Sequence, residues 1–237
     1  MSRAGHAAIA LVLAVTLTGP VRADDPVLAP GRDPGGTPVA VLADGFDYTR
    51  SEVAHVLARD GEGVAIAWDA VEGDTRPFAA KSGGTELALA AAARGGVRVV
   101  AVRVDGSDAA SLAKGIGFAA ATPAKIVLVA LSGDAKTGLH VLEAAAKRFD
   151  ALLIVGSVPK LALDKNAKEL APNLVLLDAG ETGTAAGEAI ARALGCKQDA
   201  LVSDSGAALK RAFLARINDE AAAGCEPKSG AAKDEKR

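Results

Sequence analysis

The stretch that decides the fold runs from Lys81 to Gly133, KSGGTELALAAAARGGVRVVAVRVDGSDAASLAKGIGFAAATPAKIVLVALSG. A Ser-Gly-Gly-Thr turn leads into Glu86–Arg94, which is almost all Ala and Leu and has high helix propensity. Val97–Val104 is β-branched and nearly continuous, so it reads as a strand. Asp108 offers an N-cap for a helix reaching Thr122, and the apolar run Ile126–Leu131 follows. Strands that are apolar on both faces and alternate with helices predict a parallel sheet covered on both sides. An Ala-rich helix has little side-chain bulk and can lie close against such a sheet.

Working outward, the same alternation continues. Upstream, Val39–Leu42 is a first strand, Ser51–Arg59 a helix with Ser51 as its cap, and Gly63–Trp68 a second strand. Downstream come a helix over Lys136–Arg148 and strands at Ala151–Val155 and Leu174–Leu177. Helices at Thr184–Leu194 and Ser205–Ile217 close the chain's periodic part. The predicted class is α/β: a three-layer, doubly wound, mostly parallel sheet of about six strands with helices on both faces.

Half of the 237 residues are hydrophobic but only 3% are aromatic, so Ala, Val and Leu must fill the core. Arg3, the apolar Ala7–Leu17 and the small-x-small Val21-Arg22-Ala23 read as an export signal cleaved after Ala23. That apolar run is too short for a stable membrane span, and no later stretch is long enough. Residues 1–23 are thus expected to be the signal, 24–36 a mobile Pro/Gly/Asp-rich leader, 37–225 the domain and 226–237 a disordered charged tail. Loss of Arg3 and Arg22 with the signal takes the net charge from −2 to −4, a poor balance for binding nucleic acid. Periplasmic or secreted placement frames Cys196 and Cys225, an even count that predicts one disulfide. No Cys/His spacing suggests zinc, and no cofactor motif stands where one would work. Gly115-Ile116-Gly117 with Ala120 mimics a dinucleotide fingerprint but falls inside a predicted helix, where close packing explains it.

Several pieces, in order, resemble the subtilases, the subtilisin-like serine proteases. VAVLADGFDYTRSEV (Val39–Val53) is similar to that family's first strand and turn, and AWDAVEGDTRPF (Ala67–Phe78) to its next conserved segment. SGGTELALAAAA (Ser82–Ala93) sits where the family has GHGTHVAGIIAA. The strand, helix and ALSG strand that follow resemble its SLGG-bearing strand, and Gly180–Leu194 its GTSMAAP helix. The resemblance covers about Val39–Ser157 and Gly180–Ile217. It implies a peptidase scaffold whose Ala130-Leu131-Ser132-Gly133 strand pairs with an extended peptide.

The departures decide the chemistry. In active relatives an Asp orients a His, which takes a proton from the attacking Ser. By the resemblance those positions are Ala43, Gly83 and Thr182 here, or Ala185 in place of Thr182 if a small gap aligns Gly183-Thr184. The oxyanion Asn corresponds to Ser157. Removing the nucleophile or base from a subtilisin costs on the order of 10⁶-fold in turnover, so the resemblance implies a catalytically inactive pseudoprotease that binds peptide or protein. The segment between Ser157 and Gly180 is also short for the family, which implies a missing pocket wall.

Asp44 adjoins the first position, but a one-residue step along a strand turns a side chain to the opposite face. His55 and His140 fall on helices and read as ordinary helix residues. Two other classes stand beside the pseudoprotease. One is a divergent hydrolase with Thr182, Thr184 or Ser157 as nucleophile. The other is an anion or small-ligand binder using the Ser82–Thr85 turn at a helix N-terminus. Asp44 with Asp47 is weak as a metal pair, and Asp134 reads as a solvated turn carboxylate.

Overall fold

The structure is a computed structural model that describes residues 25–131, 135–159, 170–195, 201 and 203–219. The signal 1–23, Asp134, Cys196, Cys225 and the tail 226–237 lie outside the described residues. Among the described residues six strands form one all-parallel sheet: β1 (Thr37–Ala43), β2 (Ala67–Asp69), β3 (Val97–Arg103), β4 (Ile126–Ala130), β5 (Leu153–Val158) and β6 (Leu174–Asp178). Their order across the sheet is β2-β3-β1-β4-β5-β6. The helices are α1 (Ser51–Val56), α2 (Gly83–Ala92), α3 (Ala109–Ala120), α4 (Ala135–Arg148), α5 (Ala185–Leu194) and α6 (Gly206–Ile217). None of them is long and apolar enough to cross a membrane.

Strand alternation divides the core into two layers. Val39, Val41 and Ala43 of β1 face the layer of α1, α2, α5 and α6, which contributes Val53, Leu87, Ile190 and Phe213. Ala40 and Leu42 face the layer of α3 and α4, with Leu112, Ile116 and Leu142. Both faces of β1 are sealed, which is why the strand reads as an unbroken apolar run.

The two layers also fix the relative hand of the crossovers. The β1→β2 connection steps toward one edge of the sheet on the α1 face. The β3→β4 and β4→β5 connections step the opposite way on the opposite face, which is the same hand. The β2→β3 connection steps back toward the centre, yet α2 lies on the α1 face, so its hand is reversed. Right-handed crossovers make up about 98% of cases, which makes β2–α2–β3 the left-handed unit. The reversal puts α2 beside α5 rather than beside α3. There Gly187 lets the two helices close up: a Cβ on it would lie 2.7 Å from Leu87 O and 3.0 Å from Ala90 Cβ.

Local chemistry moves several boundaries. Ser51 is the first helical residue of α1 and does not cap it; the cap position is Arg50. The helix ends at Val56 because Leu57 turns extended and bridges to Val99 of β3, with Ala58 N donating to Val99 O at 2.7 Å. β2 has only three residues, since Ala65 pairs back on Arg59 instead of extending it. Asp108 caps α3 as expected, accepting from the backbone N–H groups of Ala110 and Ser111. A Cβ on Gly115 would lie 2.5 Å from Val104 Cγ1, so close packing of α3 explains that glycine.

The leader, expected to be loose, is tied to the domain from Asp25 on. Tyr48 donates its hydroxyl to Pro26 O at 2.8 Å, and burial, then the nearby Asp25 carboxylate, pushes that phenol up to about 12. The guanidinium of Arg59, only 7% exposed, donates to Ala29 O, Gly63 O and Ala54 O. Asp33 accepts from Arg59 N and pairs with Arg98 at 2.8 Å. Partial burial raises the Asp33 carboxyl, but the Arg59 and Gly35 N–H groups and the Arg98 guanidinium outweigh it and hold it below the usual range. A depressed carboxylate stabilises the fold above its unfolded pKa and loses that contribution as pH falls through the folded one. Denaturant titrations should therefore show stability falling below about pH 4, with a shallower acid decline in Asp33→Asn and a loss of about 1 kcal/mol at pH 7.

Candidate functional site

The C-terminal edge of a parallel sheet is where α/β proteins bind ligands, and on the α2 side this edge carries a row of small side chains. Val129 pairs with Leu42, and Ala130 with Ser157, so Ala43 of β1, Ala130 of β4 and Ser157 of β5 stand side by side on one face. Ser157 lies within β5, pairs also with Leu177 of β6, and is buried. The row is short because these residues are Ala and Ser, and a cleft of about 180 Å³ opens above it.

Two segments roof the cleft. One is the N-terminus of α2. Ser82 gives its hydroxyl to Gly45 O rather than capping the helix, and Asp44 caps it from another segment, its Oδ1 accepting from Gly84 N at 3.2 Å. Thr85 Oγ1 accepts from Asp47 N at 2.8 Å. Three hydrogen bonds thus join the turn after β1 to the first turn of α2. Gly84 makes this approach possible: a Cβ there would lie 2.7 Å from Ala43 Cβ and collide with Gly45 O. Gly83, its neighbour, faces open space.

The second segment is the loop between β6 and α5. Ala179 N donates to Val158 O at 2.8 Å, which fixes the loop on β5, and Gly180 N bonds Asp178 Oδ1 at 3.0 Å. Thr182 Oγ1 lies 2.7 Å from Thr184 Oγ1, and Thr184 donates to Glu188 Oε1 at 3.0 Å. A carboxylate only accepts, so the single Thr184 proton goes to Glu188, and Thr182 must be the donor to Thr184.

The positions taken from the motif order come together here. Gly83, Ser157 and Thr182 line the cleft, with Ala43 beneath Gly84. Ala130 and Leu131 line it as well; Ser132 and Gly133 lie outside the described residues. β4 has little edge left for a peptide: Leu131 N already donates to Ser157 O at 3.0 Å, and only the β1 side is unpaired in the register beyond Val129. The histidines are elsewhere. His55 is exposed on α1 beside Ser51 O, and His140 is exposed on α4, in a groove against α3 on the other side of the sheet.

Two expectations need correction. Asp44 does not turn away from the site. β1 ends at Ala43, alternation lapses at the bend, and the carboxylate lines the cleft. The same carboxylate occupies the α2 N-terminus, where an external anion would have to sit, which removes the basis for anion binding at Ser82–Thr85. The signal for both was an Asp opposite an uncapped helix start, a pairing visible only once the fold is known. Among the described residues no group of three or more His, Cys, Asp or Glu is placed to hold a metal.

The fold and site together define a doubly wound α/β protein with a small cleft at the carboxyl edge of its central strands. No family model matches the chain, and no curated protein matches it.

The adjacent glycines give a sharp test of this geometry. Gly84→Ala should cost about 1–3 kcal/mol by overpacking. Gly83→Ala should be neutral or stabilise by up to about 1 kcal/mol through the unfolded chain. Paired urea titrations would separate the two, and equal effects would contradict the close approach.

Proposed function

We propose that the chain is a subtilase-like domain that binds peptide without cleaving it. The observation that carries this reading is the convergence of Ala43, Gly83, Ser157 and Thr182, from four separate segments, on one cleft. By the resemblance these four correspond to the acid, base, oxyanion and nucleophile positions. Hydroxyls from Ser157 and Thr182 remain there, but the base position is a glycine with open space beside it. Neither His55 nor His140 lines the cleft. Without an imidazole a hydroxyl stays protonated and is a poor nucleophile. The α/β frame would then serve recognition, with Ala130 and Leu131 forming one wall.

A second reading has its own observation. The Thr182–Thr184–Glu188 chain links a hydroxyl at the nucleophile position to a carboxylate, an arrangement that suits a divergent threonine hydrolase. An alkyl fluorophosphonate probe decides between them. The purified chain should stay unlabelled at concentrations that saturate an active serine protease. An adduct mapped to Thr182 and abolished in Glu188→Gln would establish the hydrolase instead.

A further inference from the structure

The cleft's polar side chains are one carboxylate and two hydroxyls, those of Asp44, Ser157 and Thr182. Asp44 is the sole ionisable side chain among its lining residues. It is exposed at the mouth, with one oxygen engaged by Gly84 N–H. Thr182 has its proton committed to Thr184, because Thr184 has given its own to Glu188. What Thr182 offers the cleft is therefore an oxygen with lone pairs and no hydrogen. A carboxylate and an acceptor-only hydroxyl oxygen repel anions and match a group with several donors and no acceptor. A primary ammonium is such a group. Ser157 lies buried at the floor, where its hydroxyl can accept as well as donate, and the remaining side chains, chiefly Leu87, Leu131 and Ala179, are apolar. At about 180 Å³ the space is smaller than the roughly 300–1,000 Å³ of drug-sized sites, so it suits a single short residue.

We infer that this cleft is an ammonium subsite that takes a primary amine carried on a short apolar segment, with Asp44 as counter-ion and Thr182 Oγ1 as second acceptor. The inference rests on the peptide-binding reading and deepens it: the bound end of the peptide is its charged amine. The amine comes either from a peptide's N-terminus or from a lysine side chain, which present the same chemistry.

Isothermal titration of the full chain with three probes tests this: alanyl-leucinamide, its N-acetyl derivative, and N-acetyl-lysinamide. Alanyl-leucinamide should bind about ten- to hundredfold more tightly than its acetylated form, the value of a hydrogen-bonded charge. N-acetyl-lysinamide reports the source of the amine: binding as tight as alanyl-leucinamide points to a lysine side chain, and weak binding points to the peptide N-terminus. Asp44→Asn should erase the preference while leaving the thermal midpoint unchanged, since its amide oxygen still accepts from Gly84 N. Thr184→Val, which leaves the Thr182 proton without its acceptor, should weaken the amine without affecting the acetylated probe. Equal binding of the free and acetylated dipeptides, or an undiminished preference in Asp44→Asn, would overturn the ammonium subsite and leave peptide binding standing. Binding of none of the three would overturn the peptide-binding reading itself.

Discussion

The architecture turns on one close approach, that of the first turn of α2 to the bend after β1. Gly84 has no room for a methyl group between Gly45 O and Ala43, and the bend and helix exchange three hydrogen bonds through Asp44, Ser82 and Thr85. A helix start carries unsatisfied N–H groups and a partial positive charge. Here a carboxylate forty residues upstream meets both needs, so the cap is also the tertiary contact. Gly187 lets α5 close up beside α2 in the same layer. The roof of the cleft is therefore set by backbone contacts rather than by long side chains, which suits a chain with few aromatics.

That arrangement also governs what the cleft can do. The sheet supplies a floor of Ala43, Ala130 and Ser157 because strand register puts them in one row on one face. The loop after β6 supplies hydroxyls whose protons are already directed to Glu188. Proton traffic thus runs away from the cleft rather than into it. Thr182 therefore turns lone pairs rather than a proton toward the cleft, a polarity that suits a hydrogen-bond donor.

Much of the fold was legible because buried parallel strands leave continuous apolar runs. Val97–Arg103 and Ile126–Ala130 are predicted almost to the residue, and the Asp108 cap is as expected. What escaped were features settled by pairs distant in sequence. α1 stops early because Leu57 finds Val99, and the leader is anchored because Asp33 finds Arg59 and Arg98. Strand alternation carried one residue past the end of β1 points Asp44 away from the cleft that it in fact lines. Ala43, Gly83, Ser157 and Thr182, picked out by motif order, do meet around one cleft, but the direction of the Thr182 proton depends on Glu188 and is not visible in the sequence.

The order of the strands has a consequence for assembly. β3 lodges between β2 and β1, and β4 takes the opposite side of β1, so the central strand gains neither neighbour until Val97 and beyond are available. On a nascent chain, Thr37–Ala43 is an apolar β-former with both edges bare, the condition under which strands pair with the wrong molecules. The oldest strand of the sheet is thus its longest-waiting one, and whatever shields TPVAVLA in that interval governs how much chain reaches the native state.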